Sequence, residues 1–268
     1  MAAMTLILSG NTTDFTTVIR DGINLDQNRE YEAALLSIDT YNSFPNISTE
    51  NNVFKYSADN GTTWKNIVFD TGSYQLTAIN DEIQRQMVVN GDYDSDHSTY
   101  YITLTANTSK LKSIVDITNP TYKIDFDVPS SIGPTLGFPL NSPIIGHGFN
   151  ESPNIVDIIK INSILVNADI ISGSYVNGFY SPVIYSFFPN VSPGYKIIER
   201  PNPSLIYYPI NRSNISSIRV WLTDQNNKPV DLRGETLTVR IAIREVKSRN
   251  IKREIIEGVR ELVDKKII

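Results

Sequence analysis

The residues that could carry out chemistry are few in this chain of 268 residues. Cysteine is absent, so the sequence has no thiolate nucleophile, no sulfur-based zinc site and no disulfide framework. The two histidines, His97 and His147, lie in no motif that is typical of a catalytic or zinc-binding arrangement. His147 stands between two glycines, a pattern that favours a solvated or interfacial loop residue. We therefore expect neither histidine to act in catalysis.

One acidic cluster, residues 92–96, begins like a calcium-binding loop because carboxylates occupy alternate positions. The similarity then ends. His97 takes the place of the glycine that the sharp turn requires, and Thr103 takes the place of the bidentate glutamate. The favoured interpretation is a solvated hairpin tip, and metal binding is the alternative.

Other catalytic motifs are missing from the sequence. It contains no nucleophile elbow, no phosphate-binding glycine loop and no metalloprotease signature. Residues 172–175 include a glycine, but neither Gly-Lys-Ser/Thr nor a helical pattern follows them. The sequence therefore predicts a non-enzymatic protein without catalytic, cofactor-binding or metal-binding residues.

The composition argues against two further classes of protein. A formal net charge of −5 gives the whole chain no basic surface, so contact with nucleic acid is expected at most through the termini. The most apolar region, residues 155–171, is interrupted by Asp157, Lys160 and Asp169. No stretch reaches the roughly 18 uninterrupted apolar residues of a membrane span. We therefore expect no membrane span.

The elements that would position functional residues are mainly strands. In residues 236–244, Leu237, Val239 and Ile241 share one face, whereas Thr238 and Arg240 lie on the other. Similar alternation occurs in residues 100–106, 123–128 and 217–222. This pattern predicts antiparallel strands with one buried face.

Two more uniformly apolar segments, residues 31–41 and 158–171, are expected to be central strands. Turn sequences such as Asn177-Gly178 separate the strands. Many short strands with regular turns predict an all-β sandwich or barrel, which we place at residues 28–247. Two small tandem β-sandwiches are the alternative.

A short crossover helix is predicted over residues 76–88, because apolar residues recur there at spacings of three and four. Thr77 is a candidate for its N-terminal cap.

Residues 1–27 show no long pattern able to bury itself, so we expect an arm that becomes ordered only against a neighbouring chain.

The last segment, residues 248–268, is predicted to be an amphipathic helix. Its apolar stripe consists of Ile251, Ile255, Val259 and Leu262. Basic residues outnumber acidic ones on the rest of its surface. The stripe could pack on its own domain, on a neighbouring chain or in a small oligomeric bundle, and the sequence leaves these alternatives open.

Several blocks of sequence stand in a characteristic order along the chain. In the first half they are residues 31–47, 51–52, 54–56, 72–74, 79–83, 102–107, 131–132 and 136–138. In the second half they are residues 171–175, 187–189, 193–199 and 231–240. Over residues 31–245 this order resembles the minor capsid (penton) proteins of Polinton/Maverick elements and related adintoviruses and virophage-like viruses.

The resemblance implies a jelly-roll protein of the virion that is assembled inside the host cell. Its subunits would form homopentamers at icosahedral vertices beside a double jelly-roll major capsid protein, and a host receptor is a further expected partner. Residues 187–189 and 193–195 are then either core and turn residues or a packed contact between subunits.

The alternative from another class is a β-sandwich adhesion or glycan-binding module. Trp64 and Trp221 would be its natural binding platforms. Trp221 lies in an alternating strand and Trp64 follows a turn, so both residues are more simply explained as structural. A host-domesticated copy of a capsid gene is a third hypothesis.

Overall fold

A computed structural model describes residues 4–96, 98–201 and 204–246. The first three strands are β1 (Met4–Gly10), β2 (Asp14–Asn24) and β3 (Tyr31–Tyr41). A middle group follows, with β4 (Val53–Ser57), β5 (Lys65–Val68), helix α1 (Leu76–Val89), β6 (Ile102–Asn107), β7 (Lys112–Ile117), β8 (Lys123–Asp125), a 3-10 helix (Gly133–Leu136) and β9 (Gly148–Glu151). The remaining strands are β10 (Ile164–Ala168), β11 (Tyr175–Val176), β12 (Phe179–Tyr180), β13 (Val183–Phe187), β14 (Lys196–Glu199), β15 (Tyr208–Pro209), β16 (Asn214–Asp224) and β17 (Leu237–Glu245).

Eight of these strands build two antiparallel sheets. One sheet has the order β1-β17-β3-β14, with the short β15 pairing at one end of β3, and the other has the order β13-β10-β16-β2. Counted along the chain, the first sheet holds the first, eighth, third and sixth of these strands. The second sheet holds the fifth, fourth, seventh and second. This is the strand order of a jelly roll, so the expected all-β jelly-roll sandwich is confirmed.

The core of the jelly roll lies between the two sheets. Alternate residues of the central strands point inward, among them Ile38, Val166, Val220 and Val239, all of which are fully buried. Each such side chain contributes about 1.5–3 kcal/mol when it leaves water. The alternating apolar residues that predicted β17 are therefore the residues that this strand buries in the core.

A second unit is inserted between β3 and β10. It contains the sheets β5-β4-β8 and β6-β7-β9 together with helix α1. Its core is a separate cluster in which Phe54, Tyr56 and Ile117 are almost completely buried. The two units are thus nested in the sequence, and they are not the tandem sandwiches of the alternative prediction.

Asn46 links the two segments of chain that connect the jelly roll to the inserted unit. Its side-chain amide donates to the carbonyl oxygens of Tyr74 at 2.7 Å and Ile158 at 2.9 Å. Its side-chain oxygen accepts a hydrogen bond from the Tyr74 amide at 2.8 Å. One side chain therefore joins the segment that enters the inserted unit to the segment that leaves it.

The predicted crossover helix is confirmed as α1, which buries Ile79, Ile83 and Met87 in the inserted unit. The predicted cap is wrong, since Gln75 occupies the N-cap position without a side-chain hydrogen bond and Thr77 lies within the first turn. The strand predicted at residues 158–171 is also longer than the strand that forms. Only Ile164–Ala168 forms β10, because residues 158–163 are the irregular crossing that leads back to the jelly roll.

The N-terminal arm is the main correction. Residues 4–24 form β1 and β2, which pair along their length with β17 and β16. Leu8 is only 3% exposed. The period-two pattern of Leu6 and Leu8 was sufficient for a strand, but the abundant Thr, Asn and Asp residues around it suggested disorder. The predicted terminal helix, residues 248–268, lies outside the described residues.

The strand directions define two ends of the jelly roll. The upper end carries the loops at residues 11–13, 188–195 and 225–236 together with the inserted unit. The lower end carries the loops at residues 25–30, 169–182 and 200–213, along with the start of β1 and the end of β17. Since β3 has 11 residues, the two ends are about 35 Å apart.

Candidate assembly surfaces

The first carboxylate of the calcium-like cluster has a structural role. The Asp92 carboxylate accepts hydrogen bonds from the Tyr56 hydroxyl at 2.5 Å and from the Lys65 ammonium at 2.7 Å. Burial raises the pKa of Tyr56, and the hydrogen bond to Asp92 adds to this effect. Asp92 thereby links the loop after α1 to β4 and β5, and both of these hydrogen bonds are accepted by its Oδ2 atom.

The remaining sequence candidates do not converge on a site. Asp94 accepts hydrogen bonds from the Tyr101 hydroxyl at 3.2 Å and from the Asp96 amide at 3.1 Å. His147 is exposed in the loop before β9, and His97 lies outside the described residues. Among the described residues, no group of three or more His, Cys, Asp or Glu side chains could hold a metal ion.

Both tryptophans are half-buried and have a cation beside the ring. The Lys55 ammonium lies 5.2 Å from the centre of the Trp64 ring. The Arg219 guanidinium lies 4.8 Å from the centre of the Trp221 ring. Each cation covers one face of its ring, which reduces the aromatic surface on which a sugar could stack.

The side of the jelly roll formed by the edge strands β13 and β14 carries exposed apolar residues. Phe188, just after β13, is 61% exposed and Tyr195, just before β14, is 68% exposed, so both lie where this side meets the upper end. Ile198 on β14 is also exposed. The neighbouring Phe187 is buried in the core. Phe187 is therefore a core residue, whereas Phe188 and Tyr195 lie on the surface, where a contact between subunits stays a prediction.

The opposite side of the jelly roll is formed by the other two edge strands, β1 and β2. Ile7 and Val18 are exposed there, Val18 by 72%. The sequence interpretation missed both residues because it placed them in an arm. The outward residues of β1 are Thr5, Ile7 and Ser9, and the isoleucine between two hydroxyl residues is the signal that could have identified this edge.

A groove of about 650 Å³ lies where the inserted unit meets the upper end of the jelly roll. Its apolar lining includes Leu76, Leu111, Ile158, Ile159, Pro189 and Pro193. Ile159 is 71% exposed, in the irregular segment that joins the units. The groove is continuous with the side formed by β13 and β14 through the loop at residues 188–195.

The lower end carries a short aromatic hairpin, β11–β12. Asn177 and Gly178 both have positive φ at its tip, which is the geometry of a tight two-residue turn. Tyr175, Phe179 and Tyr180 are exposed, and the rings of Tyr175 and Tyr180 lie edge to face at 6.0 Å. A cavity of about 550 Å³ opens at the same end.

No helix within the described ranges is both long and apolar enough to cross a membrane. No family model matches the sequence. No curated protein matches it either.

Two solved structures are similar to the chain. The mavirus penton protein is 11% identical, with a TM-score of 0.48, and the match covers 92% of this chain and 100% of that chain. The D2–D3 domains of the flagellar cap protein FliD from Escherichia coli are also 11% identical, with a TM-score of 0.14, and the match covers 88% and 98% of the two chains. Neither likeness is close enough to carry an argument about function.

Proposed function

We propose that this protein is a penton-like minor capsid protein that assembles into closed rings of five at the vertices of an icosahedral particle. The observation that carries the proposal is a jelly roll with exposed apolar side chains on both of its opposite edges. The order of the sequence blocks over residues 31–245, which resembles penton proteins of Polinton/Maverick elements and their relatives, supports the same function.

The two edges suggest how a ring forms. If the side formed by β13 and β14 contacts the side formed by β1 and β2 of the next subunit, each subunit uses two different surfaces. Such a heterologous contact closes into a ring when the rotation between subunits allows it. Burial of Phe188, Tyr195 and Val18 would then remove apolar surface that is costly to expose in a monomer.

The remaining partners follow from the resemblance. The ring would sit beside a double jelly-roll major capsid protein in the virion, after assembly inside the host cell. The inserted unit projects from the upper end of the jelly roll, so its loops remain available outside the ring for contact with a host receptor. No catalytic residue is required for any of these roles.

The test is an assembly measurement on a double substitution, Phe188→Ser with Tyr195→Ser. We expect the wild-type chain to form pentamers in native mass spectrometry, alone or with the major capsid protein, and the variant to be at least ten-fold less assembled at equal concentration. Phe149→Ser is the matched control, because Phe149 is 83% exposed but lies on β9 of the inserted unit.

Equal loss of assembly in the control would show that the edge formed by β13 and β14 is not the contact. A wild-type protein that remains monomeric even with the major capsid protein would refute the proposal.

A further inference from the structure

We infer that residues 247–268 pack against the lower end of the jelly roll of their own chain, with their apolar stripe over the cavity beside Val246. This intramolecular contact goes beyond the proposed capsid function and does not depend on ring formation.

The lower-end cavity has the composition that an amphipathic segment requires. Leu25, Tyr31 and Ile210 contribute half-buried apolar surface to its lining. Three acidic side chains, Asp26, Glu30 and Glu32, and two basic ones, Arg29 and Arg212, also line it. With a volume of about 550 Å³, the cavity can accept several aliphatic side chains. It therefore offers both an apolar floor and a charged margin.

The C-terminal segment begins at this cavity. The Val246 amide donates a hydrogen bond to the Glu30 carbonyl oxygen at 2.9 Å, and Val246 itself lines the cavity. The 22 residues that follow would span about 33 Å as a helix, which is enough to cross the lower end. Because the segment is tethered at the margin, its effective concentration there is of millimolar order. The same chain is therefore the favoured source of the occupant.

Charge complementarity supports the contact. Residues 247–268 contain seven basic and four acidic side chains, which leaves 17 basic and 25 acidic side chains in the rest of the protein. The segment is thus basic and the body is acidic, and opposite charges attract across a contact of this kind.

Glu30 is the acidic group best placed to receive a basic side chain. At the margin of the cavity, Arg29 already pairs with Asp26 at 3.2 Å and with Glu245 at 2.9 Å. Glu32 pairs with Arg244. Within the described ranges Glu30 has no ion-pair partner, although its side chain is exposed beside Val246. A lysine or arginine of the segment can therefore bind it without breaking an existing pair.

The absence of cysteine makes a cross-linking test direct, since engineered cysteines are the only thiols in the full chain. One cysteine replaces Gln27, which lines the cavity, and the second replaces Ile255 of the apolar stripe. We expect an oxidised monomer, identified by intact mass under denaturing conditions, with a yield that does not change over a hundred-fold range of protein concentration.

Two matched pairs control for nonspecific collisions. Gln27→Cys with Glu257→Cys places the second thiol about 200° around a helix from Ile255, and should give at least five-fold less product. Asn226→Cys with Ile255→Cys places the first thiol in a loop of the upper end and should give none. Similar yields from all three pairs, or no product from the first pair, would overturn the inference.

Cross-linked dimers as the main product would also overturn it, because they would place the segment on a neighbouring copy.

Hydrogen exchange provides an independent readout. Ile255→Asp with Val259→Asp should accelerate exchange several-fold at residues 25–31 and 209–213, and leave residues 42–46 unchanged. Unchanged exchange at the lower end would contradict the contact. The intrachain cross-link should persist in the Phe188→Ser and Tyr195→Ser variant, so a failure of ring assembly is distinguishable from a failure of this inference.

Discussion

The jelly roll and the inserted unit are both β-rich, but they are assembled from the chain in opposite ways. In the jelly roll, Ile38 on β3 pairs with Val239 on β17, so strands from the two ends of the sequence form one sheet. In the inserted unit, every residue of the core cluster lies between Ile47 and Phe138 or in the adjoining Ile145. One core therefore depends on both ends of the chain, and the other is contiguous.

This difference indicates which part of the molecule can fold without the other. A contiguous unit with its own core needs no distant strand, whereas the jelly roll must bring together segments about 200 residues apart and bear the entropy of closing that loop. We expect the two units to unfold as distinct cooperative transitions, joined by the contacts around Asn46.

The largest effect should come from deletion of residues 1–13, which removes β1. The deletion removes the buried Leu8 from the core and leaves the edge of β17 unpaired. Because domains are stable by only about 5–15 kcal/mol, we expect the jelly roll not to fold. Hydrogen exchange should then show protection only within residues 47–158. Retained protection of β3 and β17 would mean that β1 is peripheral.

Truncation of one core side chain should have a smaller effect than this deletion, and the effect should be confined to the unit that contains the residue. Ile241→Ala should lower the free energy of unfolding of the jelly roll by about 2–5 kcal/mol, and Phe54→Ala should lower that of the inserted unit by about 3–5 kcal/mol. Differential scanning calorimetry of both variants would show which transition moves. If each substitution shifted both transitions equally, the two cores would form one cooperative unit.

Substitution of the junction residue should have an intermediate effect. Asn46→Ala removes two donated hydrogen bonds and leaves the Tyr74 amide without its acceptor, at a cost of about 1–3 kcal/mol. We expect the two calorimetric transitions to move further apart, because the crossing segments are no longer joined. Asn52→Ala is a suitable control, since the Asn52 side chain donates only to Phe69 within the inserted unit.

The smallest expected effect is on the pH dependence of the stability of the inserted unit. Hydrogen bonds from Thr63, and then from Ser57, lower the pKa of Asp59 from 3.8 to about 2. A carboxyl whose pKa is lower in the folded state stabilises that state above pH 3.8, and this contribution is lost as the pH falls towards 2. Asp59→Asn should therefore make the melting temperature of the inserted unit less dependent on pH between about 4 and 2. If the melting temperature of Asp59→Asn depended on pH as strongly as that of the wild type, the stabilising role of the Asp59 carboxylate would be contradicted.

The sequence was most informative where a strand has one buried face. The alternation in β17 and the apolar run of β3 predicted both strands almost to the residue. It was misleading for β1 and β2, because their buried face is completed only by pairing with β17 and β16 at the far end of the chain. The alternation of Leu6 and Leu8 was present, but periodicity does not show which distant strand completes the sheet.

The candidate surfaces were predictable only in part. Phe188 and Tyr195 belong to segments that the sequence identified, but only the fold separates them from the buried Phe187. The aromatic hairpin has a clear local signal, since Asn177-Gly178 lies between aromatic residues. Its position at the lower end follows from topology and could not be predicted from periodicity.

The central claim is that the jelly roll is a ring-forming capsid subunit, and the most direct test is native mass spectrometry of the purified chain over a range of concentrations, with and without the major capsid protein. We predict a discrete species of five times the monomer mass that is diminished by Phe188→Ser with Tyr195→Ser and preserved by Phe149→Ser. A protein that stays monomeric under all these conditions, or that forms only dimers, would contradict the account.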